Sequence, residues 1–230
     1  MVIRSKSESG QAILEFSIVT ISLAMMLAGA FTCGEMLYKA LQVSNITRSA
    51  AVLMVHSVTD PTAGLNLAVA ANQRILVREA NGLGMASDAQ FDPSSTGTAA
   101  IFLSKIILVG NNECASGISP IPNGAPPWNA GNCPNYGSYV FAYYVPIGNN
   151  TRWASAFGTP PSGDVQSDGT ISAANIASDT SDRVNTAKIT AVITLASSQY
   201  ALVSETYADV SAISVFSIFK PPVIYYRTVT

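Results

Sequence analysis

The sequence predicts an α+β protein, in which a long N-terminal transmembrane helix continues into a stalk and is followed by a second helix and a small antiparallel β-sheet domain. Three observations support this. An uncharged apolar run lies between Glu15 and Glu35, helix-forming residues continue beyond it, and short β-rich runs replace them after Gly82. The chain therefore divides into a short basic segment over residues 1–10, a transmembrane helix and stalk over residues 11–57, and an extracytoplasmic α+β domain over residues 58–230.

The apolar run is long enough to cross a bilayer. At about 1.5 Å per residue, a helix over the gap from Glu15 to Glu35 is roughly 28 Å long, close to the thickness of the hydrocarbon core. A helix also satisfies its own backbone hydrogen bonds in lipid. Arg4 and Lys6 precede the run, and the positive-inside tendency therefore predicts a cytoplasmic N-terminus.

Glu15 is unusual within this run, because an ionised and unpaired carboxylate is costly in lipid. It belongs to the segment Gly10-Gln-Ala-Ile-Leu-Glu15-Phe16, which resembles the processing site of type IV pilin-like precursors. Within that group the segment is most similar to the TadE-like minor pseudopilins of the tight-adherence (Flp) pilus system. In these proteins a short basic leader ends in glycine, and the fifth residue of the mature chain is a glutamate followed by an aromatic residue. The resemblance covers about the first fifty residues.

The resemblance implies a structural protein of the inner (cytoplasmic) membrane, with one span, rather than an enzyme. A prepilin peptidase would cleave between Gly10 and Gln11. The other partners of this protein would be pilus or pseudopilin subunits and the Tad secretion machinery. The protein would either enter the pilus or only help to assemble it. Glu15, beside Phe16, would neutralise the freed N-terminal amine of a neighbouring subunit, since each charge relieves the desolvation cost of the other. The alternative for Glu15 is a chance polar residue that snorkels to the interface.

Two other interpretations of the N-terminus remain open. Met1 to Ala30 has the basic start, apolar middle and Ala28-Gly29-Ala30 end of a secretory signal peptide, and an uncleaved single-span anchor is also possible. The position of Glu15 and the unbroken helical pattern after the span argue against a signal peptide. The alternative function is a membrane-anchored or secreted binding module, whose β domain holds a ligand without any pilus role.

Composition and motifs argue against other classes. The chain has 230 residues, 11% of them charged, and its 12 Lys and Arg residues are scattered singly, which predicts no binding to nucleic acid. His56 is the only histidine and lies at the expected stalk end. The sequence contains no P-loop, no H-E-x-x-H and no C-x-x-C motif. We therefore expect neither catalysis nor a cofactor.

The helical region should contain a stalk and a second helix. Helically spaced apolar or small residues predict an amphipathic stalk, with Lys39 and Arg48 facing water. These residues are Met36, Leu37, Ala40, Leu41, Ser44, Ala51 and Met54. Asp60-Pro61 is typical of a helix start and Asn81-Gly82 of a helix end. The second helix should therefore run from Thr62 to Ala80.

Four strands are expected after Gly82. They are Ala99 to Val109, Tyr139 to Val145 (ended by Pro146), Thr186 to Leu195, and Val210 to Phe219 (stopped by Pro221-Pro222). Asn149 to Asp182 should form an irregular excursion. Because Tyr139, Phe141, Tyr143 and Tyr144 lie within a strand, we expect them in the core and sheet surface rather than in a ligand-binding face.

The three cysteines have different expected environments. Cys33 lies at the outer end of the span and is interpreted as a small buried apolar residue. Cys114 and Cys133 lie just beyond the ends of two strands, so a hairpin would bring them together in an oxidising compartment. The predicted disulfide would stabilise the domain by about 3 kcal/mol in the chain-entropy model.

Asp164-Val-Gln-Ser-Asp168-Gly169 partly imitates a calcium-binding loop. A bidentate glutamate is required at the twelfth position of such a loop, and that position is Asn175 here. The segment is therefore expected to be a solvated turn, and no metal site is predicted.

Overall fold

The computed structural model describes residues 7–59, 67–68, 76, 97–118, 127–209 and 223–230. A long helix, α1 (Ser7–Thr59), is followed by four strands, β1 (Ala99–Leu108), β2 (Tyr139–Gly148), β3 (Tyr200–Asp209) and β4 (Val223–Val229). Three short helices lie between the strands, α2 (Asn111–Gly117), α3 (Ala173–Ser178) and α4 (Thr186–Thr190), together with a 3₁₀ turn (Thr180–Asp182). The predicted α+β class is confirmed.

The described strands form an antiparallel sheet in the order β2-β1-β3-β4. Strand β1 is central and is buried on both faces, because its side chains alternate between two clusters of the core. Ala99, Ile101 and Leu103 pack toward α1, whereas Ala100 and Phe102 pack on the opposite face. A continuous apolar run is what a strand covered on both sides requires.

The sheet is the middle of three layers. The C-terminal half of α1 covers one face, with Val43, Ile46, Ala50 and Met54 in the same cluster as Leu103. The connection between β2 and β3 covers the other face, where Phe157, Ile171, Val184 and Ile189 pack on the sheet. The layer opposite α1 is therefore built from this long connection and not from either of the two helices that the sequence predicts.

The stalk packs on the sheet through a different set of residues from the one predicted. Ala51 and Met54 are buried as expected, but Leu37 and Leu41 are exposed, because this part of α1 extends beyond the sheet. Val43, which the predicted face omitted, is fully buried. Arg48 faces water as predicted, and His56 lies exposed in the last turns of the helix.

Strand β1 is confirmed, and β2 continues through Pro146 to Gly148 instead of ending at the proline. Proline is tolerated there because β2 is an edge strand, so no ladder hydrogen bond from its missing N–H is needed. The four aromatic residues of β2 are buried, as predicted.

The strand predicted over Thr186 to Leu195 is wrong. This segment begins with α4, and the Asn185 side chain accepts a hydrogen bond from the Lys188 N–H at the helix start. Ile189 still points into the core, so burial of one face is achieved by one helical turn rather than by a strand. The expected irregular excursion contains α3 and the 3₁₀ turn.

Strands β3 and β4 were not predicted from the sequence. The predicted strand Val210 to Phe219 lies outside the described residues, as do the helix end at Asn81-Gly82 and most of the predicted second helix. Leu67 and Leu76, which belong to that predicted helix, are buried in the cluster beneath α1.

Candidate functional site

The predicted processing and assembly residues all lie near the start of α1. Gly10 and Gln11 are exposed residues within the helix, which begins at Ser7. The Gln11 side-chain Nε2 donates a hydrogen bond to Glu15 Oε1 at 3.1 Å, one turn further along the same face. Phe16 follows and is 72% exposed. The helix thus brings Gln11 and Glu15 together and leaves both Glu15 and Phe16 available to another molecule.

The hydroxyl groups of the apolar segment are satisfied by the helix itself. Ser17, Thr20 and Ser22 donate to the carbonyl oxygens of the residues four positions earlier, at 2.8, 2.7 and 3.0 Å. Such bonds leave no hydroxyl in need of water, which suits a helix in lipid. Glu15 differs, since it is the only charged residue between Glu8 and Glu35 and its hydrogen bond comes from a neutral amide.

Packing within the chain does not explain the glycine at position 10. A Cβ atom added at Gly10 would meet nothing within 4 Å. Glycine in a helix costs about 1 kcal/mol relative to alanine, so no intramolecular contact compensates for this residue. The same is true of Gly29 and Gly34 further along the helix.

Helix α1 is long and apolar enough to cross a membrane, and none of its apolar window near the N-terminus is buried by the part of the chain that the structure describes. Between Gly10 and Gln42 every side chain is exposed or half-buried. Cys33 is a free, exposed thiol, so the interpretation as a small buried apolar residue does not hold within the chain. It lies on the part of α1 where none of the described residues is buried.

The junction between the helix and the sheet contains a buried polar contact. Thr47 and Thr206 are both fully buried, and their hydroxyl oxygens are hydrogen-bonded at 2.7 Å. The Thr47 hydroxyl oxygen also lies 2.7 Å from the Val43 carbonyl oxygen. This contact joins α1 to β3 at a fixed position along the helix.

The predicted disulfide is confirmed. Cys114 in α2 and Cys133 are bonded and both fully buried, with a Cα–Cα distance of 5.8 Å. Trp128 packs in the same cluster, beneath the β1–β2 end of the sheet. The bond closes the connection between these two strands, as expected of an oxidised hairpin.

A cavity of about 500 Å³ opens beside the end of β2. Its wall combines aromatic rings, prolines and polar groups, and it is formed mainly by two segments of the β2–β3 connection; the lining includes Tyr144, Pro146, Trp153, Pro160, Val165 and Gln166. Burial raises the pKa of Tyr144 to about 12, so this phenol remains neutral at physiological pH. The cavity could not be predicted from the sequence, because the residues that line it are separate in the chain.

Glu205 in the middle of β3 is a fully buried carboxylate that was not predicted from the sequence. Ser155 donates a short hydrogen bond to it, the Ala156 N–H donates at 3.1 Å, and the Tyr225 hydroxyl donates at 2.8 Å. Three donors satisfy the charge. Glu205 therefore ties β3 to β4 and to the β2–β3 connection, which is a structural role.

The residues of the imperfect calcium loop do not converge on one point. Asp168 is exposed and accepts hydrogen bonds from the Thr170 N–H and hydroxyl at 2.9 and 2.6 Å, and the hydroxyl bond lowers the pKa of Asp168. Asn175 donates to Asp164 Oδ1 at 2.9 Å. Asp164 instead lies beside Asp179 and Asp182, a grouping that no sequence motif indicated.

Comparisons with models of known protein families, with curated proteins and with solved structures found no match for this chain.

Proposed function

We propose that this protein is a TadE-like minor pseudopilin that takes part in assembling a tight-adherence (Flp) pilus. The observation that carries the proposal is Glu15. It is a charged residue without an ionic partner among the described residues around it, five positions after Gly10, on the part of α1 that no other described residue buries.

The chemistry of Glu15 favours an intermolecular partner. An ionised carboxylate in the apolar phase is stabilised far more by an ammonium group than by the single amide of Gln11. Cleavage after Gly10 would create such an ammonium group on Gln11 of each subunit. In a row of staggered helices, the new amine of one subunit meets Glu15 of the next, and Phe16 contributes apolar contact beside it.

The rest of the fold fits a subunit that is anchored by the N-terminal half of α1. The helix is one continuous element from Ser7 to Thr59, and its C-terminal half packs on the sheet. The N-terminus lies in the cytoplasm, the domain lies outside the inner membrane, and the partners are a prepilin peptidase, other pilus subunits and the Tad secretion machinery. The protein has no catalytic role and binds no nucleic acid.

The first test is the N-terminal residue of the full-length protein recovered from its native membrane, measured by intact mass. Gln11 as the first residue is the expected result. Phe31 would indicate cleavage after Ala30 and a secreted domain, and an intact Met1 would indicate an ordinary anchor. Either of these outcomes would overturn the proposed processing.

The second test concerns Glu15 and uses a carboxylate on the same helix as its control. We expect Glu15→Ala to leave membrane insertion intact and to reduce pilus assembly strongly, whereas Glu35→Gln leaves assembly close to wild type. Piliation is measured by electron microscopy and by shearing pili from cells. Normal piliation in Glu15→Ala would remove the assembly role of this residue.

The cavity beside β2 favours a second candidate, a membrane-anchored binding module without a pilus role. Small-molecule sites are concave and lined by aromatic and apolar groups with a few polar ones, and Tyr144, Trp153 and Gln166 provide such a wall. This function predicts that Trp153→Ala abolishes ligand binding, whereas a protein with an uncleaved leader still binds its ligand. The pseudopilin proposal predicts that an uncleaved leader prevents pilus assembly and that Trp153→Ala leaves pilus assembly intact.

A further inference from the structure

Asp182 is a buried carboxylate without a described partner. It lies in the 3₁₀ turn that follows α3 and is fully buried. Neither Oδ1 nor Oδ2 has a hydrogen-bond partner. Buried polar groups in proteins are nearly always paired, and a buried carboxylate left alone is especially unfavourable. Something outside the set of described protein groups should therefore satisfy this side chain.

Two other carboxylates lie against Asp182. One oxygen of each of Asp164, Asp179 and Asp182 lies within 4.8 Å of the other two. Burial, followed by the charges of Asp164 and Asp179, raises the pKa of Asp182 to about 6. Like charges at this distance repel each other, so the three residues are held together against their own electrostatics.

The neighbouring hydrogen bonds fix two of these carboxylates in place. Asp164 Oδ1 accepts from the Asn175 side chain at 2.9 Å, and Asp179 Oδ1 accepts from the Ser181 N–H at 2.8 Å. The adjacent cation does not neutralise the cluster. Arg183 donates from its Nε to Asn135 Oδ1 at 2.8 Å and from its Nη2 to the Pro134 carbonyl oxygen at 2.6 Å.

We propose that Asp164, Asp179 and Asp182 bind a calcium ion. Three carboxylates provide hard oxygen ligands, the type that Ca²⁺ prefers, and water completes its coordination of six to eight oxygens. The group contains no nitrogen or sulfur ligand, which disfavours zinc and copper. Magnesium dehydrates reluctantly and is held by one or two carboxylates, so a site with three of them, one of which is buried, favours calcium.

This site extends beyond the proposed pilus function and does not depend on it. The ion would join the loop that contains Asp164 to the turn that contains Asp179 and Asp182, both within the β2–β3 connection. Val165 and Gln166, next to Asp164, line the cavity beside β2. Calcium would therefore stabilise the layer that covers the sheet and also one wall of that cavity.

The test is calcium binding to the full-length chain in detergent, after treatment with a chelator and in a constant magnesium background. We expect a dissociation constant of about 10⁻⁴ to 10⁻³ M, as in extracellular calcium modules, measured by isothermal titration. We also expect calcium to raise the melting temperature. Absence of both effects in the wild-type protein would overturn the proposal.

Variants locate the ion. Asp182→Asn should abolish the calcium-dependent rise in melting temperature. Without calcium it should melt at or above the wild-type temperature, since a buried charge has been removed. Asp168→Asn is the matched control, because Asp168 is an exposed carboxylate of the loop that contains Asp164 and lies outside the cluster. A calcium response in Asp182→Asn equal to that of the control would overturn the assignment.

A second variant keeps the assignment testable if Asp182→Asn fails to fold. Asp179 is only half-buried, and asparagine at this position retains an acceptor for the Ser181 N–H. Asp179→Asn should therefore fold and increase the dissociation constant for calcium by about tenfold or more. An unchanged dissociation constant in this variant would exclude Asp179 as a ligand and reject the three-aspartate site.

Discussion

The two halves of α1 form one continuous helix but have opposite environments. From Gly10 to Gln42 no side chain is buried and the run between Glu15 and Glu35 is uncharged, whereas from Val43 onward residues spaced three or four apart are buried in the core cluster that contains the sheet. Met26 is 75% exposed and Met54 is 0% exposed, although both are methionines of the same helix. Hydrophobicity alone therefore does not say what an apolar residue packs against.

The difference separates two kinds of apolar surface. The C-terminal half has an apolar stripe on one side and polar residues such as Arg48 on the other, which is the pattern of a helix on a folded domain. The N-terminal half is apolar all round, and such a surface requires lipid or other subunits. The domain should therefore keep its fold when the first half is removed.

Removal of residues 1–34 provides the largest expected effect. The truncated chain should change from a membrane-bound to a soluble protein, because it loses the apolar segment but retains Val43 to Met54 and the disulfide. Fractionation measures the distribution, and near-ultraviolet circular dichroism measures the fold. If the truncated chain stays in the membrane or loses its near-ultraviolet signal, the two halves are not independent.

The two methionines test the comparison at single residues. Met54→Ala should lower the free energy of unfolding by about 2–5 kcal/mol, because it opens a cavity in the core. Met26→Ala should change it by less than about 0.5 kcal/mol, since this side chain has no neighbour within the domain. Denaturant unfolding in detergent provides both values, and equal losses would contradict the division.

The cysteines give a similar contrast. Replacing Cys114 and Cys133 together by serine should cost about 3 kcal/mol, since the bond no longer restricts the unfolded chain. Cys33→Ser should have little effect on unfolding, as this thiol is free and lies on the uncovered half. Thermal melts with and without reductant distinguish them: reduction should lower the melting temperature of wild type and of Cys33→Ser equally.

The same contrast explains which parts of the fold the sequence predicts. Strand β1 and the disulfide were predictable, because a β-rich run between Gly97 and Gly110 places Cys114 just beyond a strand end. The span was predictable because it depends on composition alone. The face of the stalk was not, because the helical pattern continues from the span into the stalk and does not indicate where the sheet begins to cover the helix.

A strand that contains buried polar residues could not be predicted from its hydrophobic pattern. Strand β3 contains Ser204, Glu205 and Thr206, all fully buried, and their polarity hides the strand from a hydrophobic pattern. The segment Thr186 to Leu195 shows the opposite error, because a strand was predicted where a helix begins. Its residues alternate as in a strand, but Asn185 caps the start of a helix. The three-aspartate cluster could not be predicted, because Asp164 is distant in sequence from Asp179 and Asp182.

The smallest predicted effect concerns the hydrogen bond that joins the two layers. Thr47→Val should cost about 1–3 kcal/mol, because the buried Thr206 hydroxyl loses its partner. Thr20→Val is the matched control in the uncovered half: Thr20 bonds only to the Phe16 carbonyl oxygen, so its removal should change the unfolding free energy by less than about 0.5 kcal/mol.

The double variant Thr47→Val/Thr206→Val makes this prediction sharper. Replacing both hydroxyls by methyl groups of similar shape removes the unsatisfied donor as well as the bond, which can be nearly neutral. The double variant should therefore be more stable than Thr47→Val alone, with a coupling measured by a double-mutant cycle. Additive losses would mean that the two hydroxyls act separately, and that apolar packing alone fixes α1 on the sheet.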